Sequence, residues 1–294
     1  MTSWDDASAC SRALWHLVEP LHAITYFTPE ARAAFEEAGL RGFWRGYFAG
    51  RAAPLGPVGA APVIAAFYGF APRMVTRALP DVWTRATPEA ALAARAAGAR
   101  AGLVRLLGRE PSEIARSAEL TEAAALLREA AQAVDILGRP LGAANAALPW
   151  PQEPLDVIWH ATTILREQRG DGHVAALQVE GLDGCESLAL RTAIDIERAV
   201  LQLARGWTDE EWDAATARLI ERGWLDAQGR PTETALAARK RIEAVTDRLA
   251  SAPWHTLGPE RTARLAALLE PFARAASAAL PHPNPIGTAR LTAT

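Results

Sequence analysis

Apolar residues recur at helical spacing along almost the whole chain. Cys10, Leu14, Leu17, Val18 and Leu21 form one stripe, with the thiol counted as a small hydrophobe. The pattern predicts a first helix from Ser3, with Asp5 and Asp6 in its first turn, kinked or ended at Pro20. Thr28-Pro29-Glu30 and Thr87-Pro88-Glu89 are caps followed by a proline at the first helical position. They open a helix to Gly39 and an alanine-rich helix to about Leu107. Between them, Gly42, Gly46 and Gly50 are spaced four apart, a spacing that suits close helix packing. Residues 52 to 62 read as a loop, and Phe67-Tyr68-Gly69-Phe70 as a short aromatic helix ended near Pro72. Another helix fills Ser112 to Leu137.

Gly138 to Pro154 carries four prolines and marks a linker. The expected division is a helical N-terminal domain over 1–148 and a second domain over 149–294. In the second part, helical pattern runs to Gln168 and is broken at Gly170-Asp171-Gly172. Thr208 with Glu211 forms a capping box. Its helix carries Trp212, Ala215 and Leu219 and stops at Gly223. Trp224 to Thr232 then reads as strand, glycine turn and second arm, and Thr232 or Thr234 caps an amphipathic helix to Leu249. Helix, hairpin, helix is the order of a winged-helix module. The predicted class is mostly α, with a multi-helix N-terminal domain and a C-terminal winged-helix-like module holding one short β-hairpin.

Composition narrows the setting. Half of the 294 residues are apolar and the net charge is −3, so a large core is available and no global pull acts towards nucleic acid or lipid. The N-terminus lacks a basic and apolar leader, and no apolar run is long enough to span a membrane. A cytoplasmic protein is expected, with Cys10 and Cys185 as reduced thiols. Lys240 is the only lysine and alanine is abundant, the bias of a GC-rich, actinobacterial genome. Histidines 16, 22, 160, 173, 255 and 282 are scattered, so no metal set and no cofactor is expected.

Two stretches, Leu165 to Leu177 and Arg205 to Ala215, resemble an actinobacterial helix-turn-helix family distantly similar to MarR regulators, and the likeness extends to Tyr47–Gly56. Gln168 stands where that family carries histidine in its Arg-Glu-His-Arg-Gly form. The resemblance implies a winged helix, a homodimer and DNA binding. It implies no particular chemistry.

Two clusters stand out as sites. Arg166 to His173 joins two arginines, two glycines, Asp171 and His173, with His160 upstream. Arg166 and Arg169 suit a carboxylate or phosphate, and Asp171 orienting His173 would make a general base if the protein is an enzyme. The plainer alternative has Asp171 capping the following helix and the arginines solvated or paired with Glu167. The second cluster, His22, Tyr26, Trp44, Tyr47, Arg51, Phe67 and Tyr68, is either an aromatic ligand pocket or plain core.

DNA contact would fall to Arg230, Arg239 and Lys240. The helix after Thr208 opens with Asp209, Glu210, Glu211 and Asp213, and residues 205–248 hold eight basic and nine acidic side chains, a poor match to phosphates. A second register, Gly172–Glu180 with Gly184–Arg191, also reads helix, turn, helix. The expectation is a small-molecule-binding winged-helix protein, a ligand-responsive regulator with double-stranded DNA as a possible partner. The alternative is an enzyme or ligand-sequestering protein on a scaffold that has lost DNA binding.

Overall fold

The computed structural model describes residues 4–108, 110–288 and 290–291. Ser3, the expected start of the first helix, lies outside them. The described chain is a succession of helices: α1 Ala7–Phe27, α2 Pro29–Glu37, α3 Phe43–Ala52, α4 Ala60–Ala66, α5 Pro72–Thr76, α6 Pro88–Leu107, α7 Pro111–Ala115 and α8 Ala118–Gln132. There follow α9 Pro140–Ala146, α10 Pro154–Val179, α11 Gly184–Ile194, α12 Arg198–Arg205, α13 Asp209–Glu221, α14 Glu233–Leu249, α15 Ala252–Leu257 and α16 Pro259–Ala279.

Capping explains most of the starts. Asp6 accepts hydrogen bonds from the Ser8 and Ala9 amides and begins α1, which continues through Pro20. Thr28, Thr87 and Thr232 each accept from a backbone amide at the start of α2, α6 and α14. The Thr208–Glu211 capping box is formed, and Asp183 with Glu186 makes a second one at α11. Gly46 and Gly50 seat the ring of Phe35, where a Cβ on Gly50 would lie 2.5 Å from it. Gly42 serves differently, at φ +86° before α3, a conformation that suits glycine.

Two expectations are corrected. The β-hairpin does not form: among the described residues there is no strand, only one antiparallel bridge between Leu225 and Pro231. Asp226 explains the short wing. Its carboxylate accepts from the amides of Gln228 and Arg230, at 2.9 Å each, which closes a tight turn before a ladder can extend. Among the described residues the class is therefore all-helical. The break at Gly170-Asp171-Gly172 is also absent, since α10 runs unbroken for 26 residues. Each interior glycine costs a helix about 1 kcal/mol, and packing outweighs that here. α10 lies against α1, α8, α9 and α14, and Gly172 leaves room for Leu249 and Arg139.

Three apolar clusters form the interior. The first joins α1, α6, α8, α10, α15 and α16 through Leu14, Ile24, Leu103, Leu127, Ile164, Leu265 and Leu269. The apolar face of α16 is thus covered within the chain, by α1 and α8 among others. The second is aromatic and lies under α3, α4 and α5, around Phe48, Phe67 and Phe70. The third holds α11 to α14 against the end of α10, around Leu190, Leu201, Trp212 and Trp224. A cavity opens where the second and third clusters meet α10.

Candidate functional site

Helix α3 places Trp44, Tyr47, Phe48 and Arg51 on one face by their spacing of three and four. Arg51 turns inward and meets Glu167 of α10 in a fork, with Nε donating to Oε1 at 2.8 Å and Nη2 to Oε2 at 2.9 Å. Arg166 Nη1 donates to the same carboxylate at 2.8 Å, and its Nε approaches Glu19 of α1 at 3.4 Å. Glu167 is only 1% exposed. Burial alone would raise its carboxyl pKa, but Arg166 and Arg51 overcome that and hold it far below the usual carboxylate range. The Arg51 guanidinium also lies 4.1 Å from the centre of the Phe67 ring and donates to the Tyr47 hydroxyl at 3.2 Å.

Residues from both clusters read from the sequence line one cavity of about 220 Å³. Its walls are Trp44, Tyr47, Arg51, Phe67 and Phe70 on one side and Arg166, Asp171 and His173 on the other. Arg191, Arg205 and Arg239 from the helices of the third cluster complete it, with Pro285 and Ile286 of the C-terminal tail. A polar cleft behind it shares Arg166, His173, Arg191 and Arg239.

Asp171 and His173 have separate partners. One Asp171 oxygen accepts from the Leu141 and Gly142 amides at 2.9 and 2.8 Å. It caps α9 across the fold and not a helix of its own segment. Burial pushes its carboxyl up to about 6, against the pull of those amides. His173 Nδ1 lies 3.0 Å from the Thr246 hydroxyl, which gives its own hydrogen to the Ile242 carbonyl. His173 therefore donates from Nδ1 and keeps Nε2 unprotonated. Burial pushes its pKa down to about 4.

The other expected residues divide. Arg169 faces away from the cavity, donating to Ser11 and to Asp247 at 3.1 and 2.6 Å and lying over Trp15. His160 packs edge-on against Trp150 and lies outside the cavity wall. His22 stands behind the wall, with Nε2 2.7 Å from the Tyr26 hydroxyl and Nδ1 3.0 Å from Thr163. Burial keeps it neutral, its pKa well below the usual value. Arg239 pairs with Glu243 and Asp195 inside the cavity wall, whereas Arg230 and Lys240 are exposed. Arg191 and Arg205 were missed as site residues. Arg205 had a readable signal, since it falls four residues after fully buried Leu201 on the same face of α12. Among the described residues, no group of histidine, cysteine, aspartate and glutamate side chains is arranged to hold a metal.

Helices α12 and α13 are joined by Gly206-Trp207-Thr208 in the order helix, turn, helix. Trp207 Nε1 donates to the Gly69 carbonyl at 3.0 Å, and Arg73 of α5 grips Glu211 at 2.7 and 2.6 Å. Arg198 holds Asp209 and Asp213 at 2.8 and 2.9 Å. The outward face of α13 shows Asp209, Glu210, Asp213, Ala214, Ala217 and Arg218. In the alternative register α11 is buried from Gly184 to Leu190, which leaves it no face for a groove.

Among the described residues these features define a helical protein with a partly open cavity of mixed aromatic and cationic lining. A family model matches residues 11–283, and the chain belongs to that helix-turn-helix family. Membership points to a DNA-binding regulator in general. No curated protein and no solved structure matches the chain. Among the described residues no helix is long and apolar enough to cross a membrane.

Proposed function

We propose that this protein is a cytoplasmic, ligand-responsive transcriptional regulator of MarR-like type, in which a small molecule in the cavity sets the geometry of the helix-turn-helix. One observation carries the reading. The cavity wall is shared between the aromatic helices and α11, α12 and α14 of the module itself. A ligand touching Arg205 touches the last residue of α12, one residue before the turn into α13. Differential contact of this kind shifts a two-state element. A homodimer belongs to the reading, since helix-turn-helix regulators reach two half-sites that way, and light scattering measures it.

Purified protein mixed with sheared DNA from its source genome, followed by sequencing of the retained fragments, tests the proposal. Enrichment of a discrete site that a bound small molecule releases is the expected result. A second reading is favoured by the acidic outward face of α13: a ligand-sequestering protein that does not engage DNA. It predicts no enriched site together with a small molecule that copurifies in stoichiometric amount. The catalytic alternative needs Asp171 to orient His173, and their separate partners favour it least.

A further inference from the structure

The guanidinium groups around the cavity are not equally neutralised. Arg51 and Arg166 share Glu167, with Glu19 beside Arg166. Arg191 has Asp195 at 3.2 Å, and Arg239 has Glu243 at 2.5 Å. Arg205 has no carboxylate within ion-pair reach among the described residues. Its Nη2 donates to the Pro285 carbonyl at 2.9 Å, and its guanidinium lies 4.5 Å from the centre of the Phe70 ring. Burial lowers its pKa to about 10, so it still carries its charge at neutral pH.

Arg205 is half-buried, and a cation partly withdrawn from water without a counter-ion carries a cost that a bound anion relieves. The planar fork suits a carboxylate, which it can meet through two parallel hydrogen bonds. Next to it the wall turns aromatic. Phe70 lies 6.0 Å from Trp44 and 5.5 Å from Tyr47, ring centre to ring centre. A ligand anchored at Arg205 therefore has rings to stack on. Among the described residues Arg205 is the cavity arginine without a carboxylate partner, so one negative charge on a ligand answers it.

We propose, resting on the reading of this cavity as a ligand site, that its ligand is an aromatic monoanion whose carboxylate is held by Arg205 and whose ring lies against Phe70, Trp44 and Tyr47. Arg205 is then the residue that sets selectivity for charge.

Isothermal titration of the full-length protein with four probes tests this: 2-naphthoate, 2-naphthamide, cyclohexanecarboxylate and 2-naphthyl phosphate. Naphthoate is expected to bind at least about tenfold more tightly than its neutral amide, as one charge-assisted pair provides. It should also exceed the aliphatic acid and the dianionic phosphate. Arg205→Gln should erase the preference for acid over amide, and Arg205→Lys should keep most of it. Circular dichroism melts of both variants establish that they fold. Should Arg205→Gln fail to fold, the Arg205→Lys comparison and the wild-type preferences decide. Equal binding of naphthoate and naphthamide would overturn the inference and leave the ligand site standing. So would a preference for acid that survives Arg205→Gln, or tighter binding of the phosphate. Binding of none of the four probes would overturn both the inference and the ligand-site reading.

Discussion

The buried charges of α10 and the exposed charges of α13 are built from the same residue types and do opposite work. Glu167 is enclosed and shared by Arg51 and Arg166. Asp209 and Asp213 stand in solvent with Arg198 reaching over them. In the first case each partner removes a desolvation cost that the other would otherwise bear, so losing one strands the rest. In the second, water already solvates both sides and the pair adds little. The network on α10 therefore holds the cavity wall in place, and the charges on α13 mainly set what the module's surface attracts.

Removing the buried hub is the strongest way to test that difference. Glu167→Gln leaves Arg51 and Arg166 without a full counter-charge and is expected to cost about 3–5 kcal/mol in urea unfolding. A loss below about 1 kcal/mol would place these arginines in water and dissolve the contrast with α13.

Acid should act through the same buried region. His160 and His173 are each held down at about 4 by burial, against about 6.5 in the unfolded chain. Between those values the unfolded state binds more protons, so stability falls as pH drops from about 6.5 to 4. Asp171 runs the other way. Its carboxyl is raised to about 6, so the native state binds the extra proton and acidification partly offsets the loss. Unfolding free energy measured across this range should decline more steeply in Asp171→Asn and less steeply in His160→Gln. Parallel profiles for all three proteins would show that these groups are solvated.

A smaller effect is expected where Asp171 caps α9. Asp171→Ala frees the Leu141 and Gly142 amides and should cost about 1 kcal/mol near neutral pH, the usual worth of a cap. The loss should appear as faster amide exchange at residues 141 and 142. Unchanged exchange there would mean that the cap is not formed in solution.

The smallest effect belongs to the surface. Arg198→Ala should change stability by no more than about 1 kcal/mol. It should also weaken retention on a random duplex at low salt, because the acidic start of α13 loses its neighbouring cation. A large destabilisation would mean that Arg198, which also lies over Trp212, acts through packing and not through charge.

The sequence alone determined the features that local rules govern. Thr28, Thr87, Thr208 and Thr232 mark helix starts because a cap depends on a hydroxyl and an amide three residues away. The apolar stripes of α1 and α13 follow from helical periodicity, and the acidity of α13 from its composition. Both halves of the cavity were legible as unusual residues, but as two separate candidates. Only the tertiary structure decided that they face each other, because nothing local relates Arg51 to Glu167 across 116 positions of chain. It also decided that Gly170 and Gly172 stay helical, since packing against α9 and α14 outweighs their weak propensity. The fate of Asp171 was decided in the same way. A carboxylate beside glycines reads as a cap for its own segment, yet the amides that needed it lay at the start of α9, thirty residues earlier.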